Sequence, residues 1–244
     1  MKNKTRFFLF VIVSGVSCSF LSAQTVHQPF NGKNLEGWSV VGGKPEKSFW
    51  KVGTATMSRK TPTGLEFLLP ENGKGDLVNL SGSNWQNDPT QRGLDLQTNR
   101  TFGDCTVDLE FMVPKGSNSG IYLMGEYEVQ ICDSWGLTGK LTQGDLGAVY
   151  SAAEPKLPAA REPGQWQTVH IDFEAPRFDK AGKKIRNAKF LRVVINGKLV
   201  QENVEVPNGS TGGGITGKES TKGPLMLQGN HGPVVYRNIR IVEK

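Results

Sequence analysis

Apolar residues recur at every second position in this chain, in short runs bounded by Gly, Pro, Asn and Asp. That period belongs to the half-buried β-strand, and the 3.6-residue period of an amphipathic helix is almost absent. Strands are expected at Phe49 to Val52, Thr106 to Val113, Gly120 to Met124, Tyr127 to Cys132 and Gln167 to Phe173. Four more are expected at Phe190 to Ile195, Lys198 to Asn203, Leu225 to Gln228 and Val235 to Val242. Asn196-Gly197 separates two of these and reads as a two-residue hairpin turn. Two stretches read as loops: Pro70 to Asp95, rich in Gly, Asn, Ser and Asp, and Glu174 to Ala188, with Lys180, Lys183 and Lys184. With no internal repeat and no linker, the pattern predicts one all-β domain over residues 24–244, a sandwich or a barrel.

Chemistry concentrates between Asn118 and Asp133, a turn, a strand, a break at Gly125 and a second strand. In the second strand Tyr127, Val129 and Ile131 point one way and Glu128 and Gln130 the other. A carboxylate and an amide then sit side by side, ~7 Å apart on a rigid face, an arrangement suited to acid/base work or to polyhydroxylated ligands. Glu110 lies on the polar face of its own strand and is expected to share a concave surface with Glu128 and Gln130, if the two strands are neighbours. Asp133 belongs to the apolar face by alternation, so it caps the turn or sits in a bulge; it is still counted among substrate-binding candidates.

Three histidines are available. His27 is near the N-terminus of the mature chain and is expected to be disordered; His170 is expected to pack. His231 follows a strand between Gly229 and Gly232, where the backbone can approach a ligand closely, and is the best acid/base candidate beside Glu128. Asn118, Gln130 and Gln228 are placed to orient hydroxyls, and Tyr150 to donate to a leaving group. Asn84-Trp85, Trp135 and Tyr150 are of the type that stacks on sugar rings.

The N-terminus reads as a leader: Lys2, Lys4 and Arg6, an apolar run from Phe7 to Val13, then Leu21, Ser22 and Ala23 before a cut at Gln24. The run is too short to span a bilayer, so a periplasmic or secreted protein is expected. Cys18 allows a lipid anchor, disfavoured because Gly15 stands where a lipobox prefers Leu. The formal charge of +6 falls to nearer +3 without the leader, and no dense basic run exists, which argues against a nucleic-acid partner. Cys105 and Cys132 lack metal-ligand spacing and are expected as two buried thiols.

These residues resemble a known family. Phe30 to Trp38 (FNGKNLEGW), Asn118 to Tyr122 (NSGIY), Tyr127 to Asp133 (YEVQICD), Gly147 to Tyr150 (GAVY), Gly164 to Thr168 (GQWQT), Asn196-Gly197 and Leu227 to Ile239 follow in order the motifs of the 3-keto-disaccharide hydrolase domain family. The resemblance covers nearly all of the mature chain. It implies a concanavalin A-like jelly-roll β-sandwich and an exported enzyme acting on a glycoside substrate oxidised at C3. It also implies a route in which a base removes the C2 proton, the C1 substituent leaves and water adds to the enone. No metal-ligand spacing and no cofactor motif stands out, although a divalent cation could serve as enolate stabiliser. Two positions depart from the family: Glu126, where relatives often have Arg, and Asn230, where many have Asp. The alternatives are a non-catalytic carbohydrate-binding module and a laminarinase-type retaining glycosidase using Glu126 and Glu128 at i, i+2 spacing.

Overall fold

The computed structural model describes residues 24–61, 63–70, 72–84 and 86–244. The leader, Cys18 and Trp85 lie outside the described residues. In chain order the strands are β1 (Thr25–His27), β2 (Trp38–Val40), β3 (Trp50–Met57), β4 (Leu65–Leu68), β5 (Asp76–Asn79), β6 (Leu96–Phe102), β7 (Cys105–Met112) and β8 (Asn118–Leu123). They continue with β9 (Tyr127–Cys132), β10 (Gln167–Glu174), β11 (Arg177–Phe178), β12 (Lys184–Arg186), β13 (Ala188–Ile195), β14 (Lys198–Val206), β15 (Gly223–Leu227) and β16 (Val234–Glu243).

Two antiparallel sheets stack into a concanavalin A-like jelly-roll sandwich. The larger runs β14-β13-β10-β7-β16-β5-β3-β4, with β1 alongside β16; the smaller runs β2-β6-β15-β8-β9. Alternation decides what each strand buries. Val107, Leu109 and Phe111 of β7 and Val169, Ile171 and Phe173 of β10 meet Ile121 and Leu123 of β8 and Tyr127, Val129 and Ile131 of β9 in one core. Tyr127 crosses the interface to Phe173, ring centroids 5.5 Å apart, and Phe173 meets Phe190 edge-on at 5.1 Å. With its apolar face spent on the core, β9 must present Glu128 and Gln130 outward, on the far side of the smaller sheet.

The nine expected strands are all present, and Asn196-Gly197 turns with φ of 52° and 77°, the left-handed pair of a type I′ hairpin. Both expected loops hold strands. The first contains β5, which pairs with β3 and β16; the second folds back on itself as β11 and β12. His27 is ordered: β1 pairs with the end of β16, and the imidazole meets Glu243 at 3.1 Å. His170 does not pack into the core but sits on the outer face of the larger sheet, 2.7 Å from Asp108 and 3.2 Å from Asp172. Cys105 and Cys132 are free, buried thiols in different sheets, and burial pushes both up to about 12.

Candidate active site

The outer face of the smaller sheet is covered by two chain segments, and a cavity of about 220 Å³ remains between them. Its walls are Asn118 and Tyr122 of β8, Glu128 and Gln130 of β9, Tyr150, Gly212, Gly213, Gln228 and His231. One cover is residues 147–150, which run along the free edge of β9. Gly147 N–H donates to Gln130 O (2.9 Å), Gln130 N–H to Ala148 O (2.9 Å) and Tyr150 N–H to Glu128 O (3.2 Å). That ladder brings the Tyr150 ring over the cavity. The other cover is the loop after β14. Thr211 N–H donates to Glu126 O (2.9 Å), and the Thr211 hydroxyl accepts from Glu128 N–H (3.0 Å).

Glycine makes the enclosure possible. Gly120 lies between Asn118 and Tyr122 on the cavity face, and a Cβ there would come 2.2 Å from Glu128 Oε1. A Cβ on Gly213 would fall 2.6 Å from the Tyr122 hydroxyl, and one on Gly212 2.8 Å from the Tyr150 ring. The loop can therefore lie directly on both tyrosines. Tyr122 OH donates to Gly212 O (3.0 Å) and accepts from Gln228 Nε2 (3.2 Å). Gln130 Nε2 donates to Asn118 Oδ1 (3.0 Å). Gln228 Oε1 is buried and has no hydrogen-bond partner among the described residues. Buried acceptors are nearly always paired, so this one marks a place where a donor is missing.

Burial sets the two titratable groups apart. Glu128 is 3% exposed, and loss of solvation lifts its carboxyl to about 8; the Tyr122 hydroxyl offsets part of this and the Asp95 carboxylate adds to it. His231 is pushed the other way, below the usual imidazole range, by burial and by the Arg92 guanidinium. Near neutral pH both are uncharged: a carboxylic acid with a proton to give and an imidazole able to take one. The imidazole is also oriented. Asp95 accepts from Gly229 N–H (2.8 Å) and from Asn230 Nδ2 (3.1 Å), which turns Asn230 Oδ1 toward His231 Nδ1. Nδ1 must then carry the ring proton, and Nε2 is the basic nitrogen.

Six of the eight residues singled out from sequence meet in this cavity: Glu128, His231, Asn118, Gln130, Tyr150 and Gln228. Glu110 does not. Its strand, β7, is flanked by β10 and β16 in the other sheet, so the shared surface with Glu128 does not exist. Glu110 faces outward there and pairs with Arg237 (2.6 Å) and Asn238 (2.9 Å). Asp133 does not line the cavity either; it caps the turn, accepting from Gly116 N–H (2.9 Å) and Trp135 N–H (3.2 Å). Glu126 is absent from the walls as well. Its carboxylate accepts from Thr216 N–H (2.8 Å), the Thr216 hydroxyl (2.7 Å) and Gly217 N–H (3.1 Å), pinning the covering loop. Sequence reasoning missed Tyr122, Gly212, Gly213 and Asp95. Tyr122 was recoverable, because it has the same parity as Asn118 along β8.

The family profile described as the 3-keto-alpha-glucoside-1,2-lyase-like domain matches residues 26–242. The chain belongs to this family. Among solved structures, the chain is similar to three Parabacteroides distasonis proteins provisionally assigned as glycosyl hydrolases. One shares 27% identity with a TM-score of 0.65, over 91% of this chain and 84% of that one. A second shares 15% identity with a TM-score of 0.57, over 90% and 94%. The third shares 21% with a TM-score of 0.53, over 90% and 100%. No curated protein matches the chain significantly. For this member of the 3-keto-alpha-glucoside-1,2-lyase-like family, the likeness of the latter two structures bears on the fold alone.

Proposed function

We propose that the protein cleaves 3-keto glycosides, with His231 as base and Glu128 as acid. The observation that carries this reading is the pair itself: an uncharged carboxyl and an uncharged, oriented imidazole lining one cavity of sugar-ring size. A ketone at C3 acidifies the C2–H. His231 Nε2 takes that proton, and the electron pair moves into the enolate at O3. The amides of Asn118 and Gln130 at the cavity wall supply N–H donors suited to a developing oxyanion. The C1–O bond then breaks, its electrons leave with the departing oxygen, and Glu128 protonates that oxygen. The products are a free alcohol and a C1=C2 enone. Water adding across the enone completes net hydrolysis. Gln228 Oε1, the orphaned acceptor, would take a sugar hydroxyl.

A retaining glycosidase needs two carboxyl groups about 5–5.5 Å apart. Glu128 is the sole carboxylate among the described lining residues, and Glu126 is engaged by its loop. The test is aglycone release from 3-keto and plain glucosides side by side, with and without chelator. Wild type should turn over the 3-keto compound alone, and Glu128→Gln and His231→Ala should each be slower by about 10²–10⁴-fold. The pH profile of kcat/KM should rise through a limb below 6.5, the His231 loss of its proton, and fall above about 8 as Glu128 ionises. Equal rates on plain glucosides, or unimpaired variants, would overturn the assignment. We further propose that the enzyme acts outside the cytoplasm; N-terminal sequencing of exported protein should then begin at Gln24.

A further inference from the structure

Of the proposed acid/base pair, Glu128 stands on a strand and His231 on a loop. Residues 228–233 carry the chain from β15 in the smaller sheet to β16 in the larger, with Gly229 and Gly232 on either side of the imidazole. Glycine restrains a backbone least, so the loop's own covalent geometry does not fix the ring. Proton transfer needs the reacting atoms within hydrogen-bond reach, and a displacement of ~1 Å can cost about 10²-fold in rate. Contacts from outside the loop must therefore hold it.

Asn79 supplies them. In β5, Leu77 joins the core between the sheets and Val78 a separate cluster on the other face, so alternation turns Asn79 inward, where an apolar residue is the rule. Asn79 is fully buried, between Trp50 of β3 and Val234 of β16 in the ladder. Its Nδ2 lies 3.0 Å from Gly229 O, 2.8 Å from Gly232 O and 2.8 Å from Ser81 Oγ. The two carbonyls bracket His231. The amide has one orientation: Oδ1 accepts from Ser81 N–H (3.3 Å), and a flipped amide would set oxygen against both carbonyls. From the other side, Ser119 Oγ donates to Gln228 O (2.7 Å) and Ser117 Oγ to Pro233 O (2.5 Å). The serines thus tie the ends of the loop to the start of β8, and Asn79 ties both flanks of the imidazole to the larger sheet. An apolar side chain of the same size would fill the space at Asn79 but take the donor away from both carbonyls.

We propose that Asn79 is a positioning residue: its buried amide fixes where His231 stands relative to Glu128, and so governs the rate of proton transfer rather than substrate affinity. This rests on the assignment of His231 as base and extends it. The test is a double-mutant cycle on aglycone release from a 3-keto glucoside, with Asn79→Ala and His231→Ala. Asn79→Ala should lower kcat by about 10–10²-fold with KM nearly unchanged, and should cost nothing further in the His231→Ala background. An unchanged kcat, or equal losses in both backgrounds, overturns the proposal. Where Asn79→Ala does not fold, Asn79→Ser, whose hydroxyl can serve one carbonyl, takes its place under the same criterion. If wild type does not cleave the 3-keto glucoside, the catalytic reading fails, and the hold on His231 is judged by NMR titration of the three imidazoles. Burial holds His231 below the usual imidazole range, so a loosened loop should let its midpoint climb toward that range. A rise at His231 in Asn79→Ala, with His27 and His170 unmoved, upholds the role; no rise, or a rise shared by all three, overturns it.

Discussion

Asp95 never reaches the cavity wall, yet it sets which nitrogen of His231 is basic. Its two oxygens take Gly229 N–H and Asn230 Nδ2, so the Asn230 amide can face His231 only with its oxygen. A carboxylate thus acts on the imidazole at one remove, through an amide. Asp95→Asn leaves one of these donors facing an NH2 group. We expect the Asn230 amide to turn over, the proton of His231 to move to Nε2 and kcat to fall about 10²-fold. Imidazole ¹⁵N shifts read the tautomer directly, and an unchanged tautomer together with full activity would refute the relay.

Among the elements, the loop after β14 does most to define the site and was the least legible beforehand. Strands β7, β9 and β10 announce themselves by strict alternation, and alternation alone put Glu128 and Gln130 on one face. Parity cannot say which strands are neighbours, and this is why Glu110 was drawn toward Glu128 although β7 lies between β10 and β16. The short β5 was hidden by the Gly- and Asn-rich residues around it. The Gly212-Gly213-Gly214 run gave no period at all; its role is to lie on Tyr122, Tyr150 and Glu126 without side chains of its own. Glu126 clamps this loop through three hydrogen bonds to its carboxylate. Glu126→Ala should cost about 2–3 kcal/mol of stability by chemical denaturation. It should also speed amide exchange across residues 211–217 and raise KM more than it lowers kcat. Exchange as slow as in wild type would argue that other contacts hold the loop.

For the whole molecule, a buried acid in the site is a liability that depends on pH. Glu128 titrates near 8 when folded and near 4.5 in an ordinary setting, so the folded state holds its proton more tightly. Its contribution is therefore fully favourable below 4.5, declines as pH rises from there to about 8, and stays low above that. Glu128→Gln mimics the protonated form at every pH. Its melting temperature should match wild type at acid pH and exceed it by about 5 °C at pH 8, the difference growing between these limits. A gap that does not change with pH would exclude an ionisable burden at this position.

The placement of the two thiols gives the sandwich a built-in pair of sensors. Cys105 belongs to the nine-stranded layer and Cys132 to the five-stranded one, and neither sulfur forms thiolate while its layer stays closed. An alkylating reagent at neutral pH can capture each only when that layer opens, so mass spectrometry of the labelled peptides would time the two events separately. Equal capture rates would mean that the halves of the protein part as one unit; faster labelling at Cys132 would mean that the half carrying the Glu128 cavity loosens first.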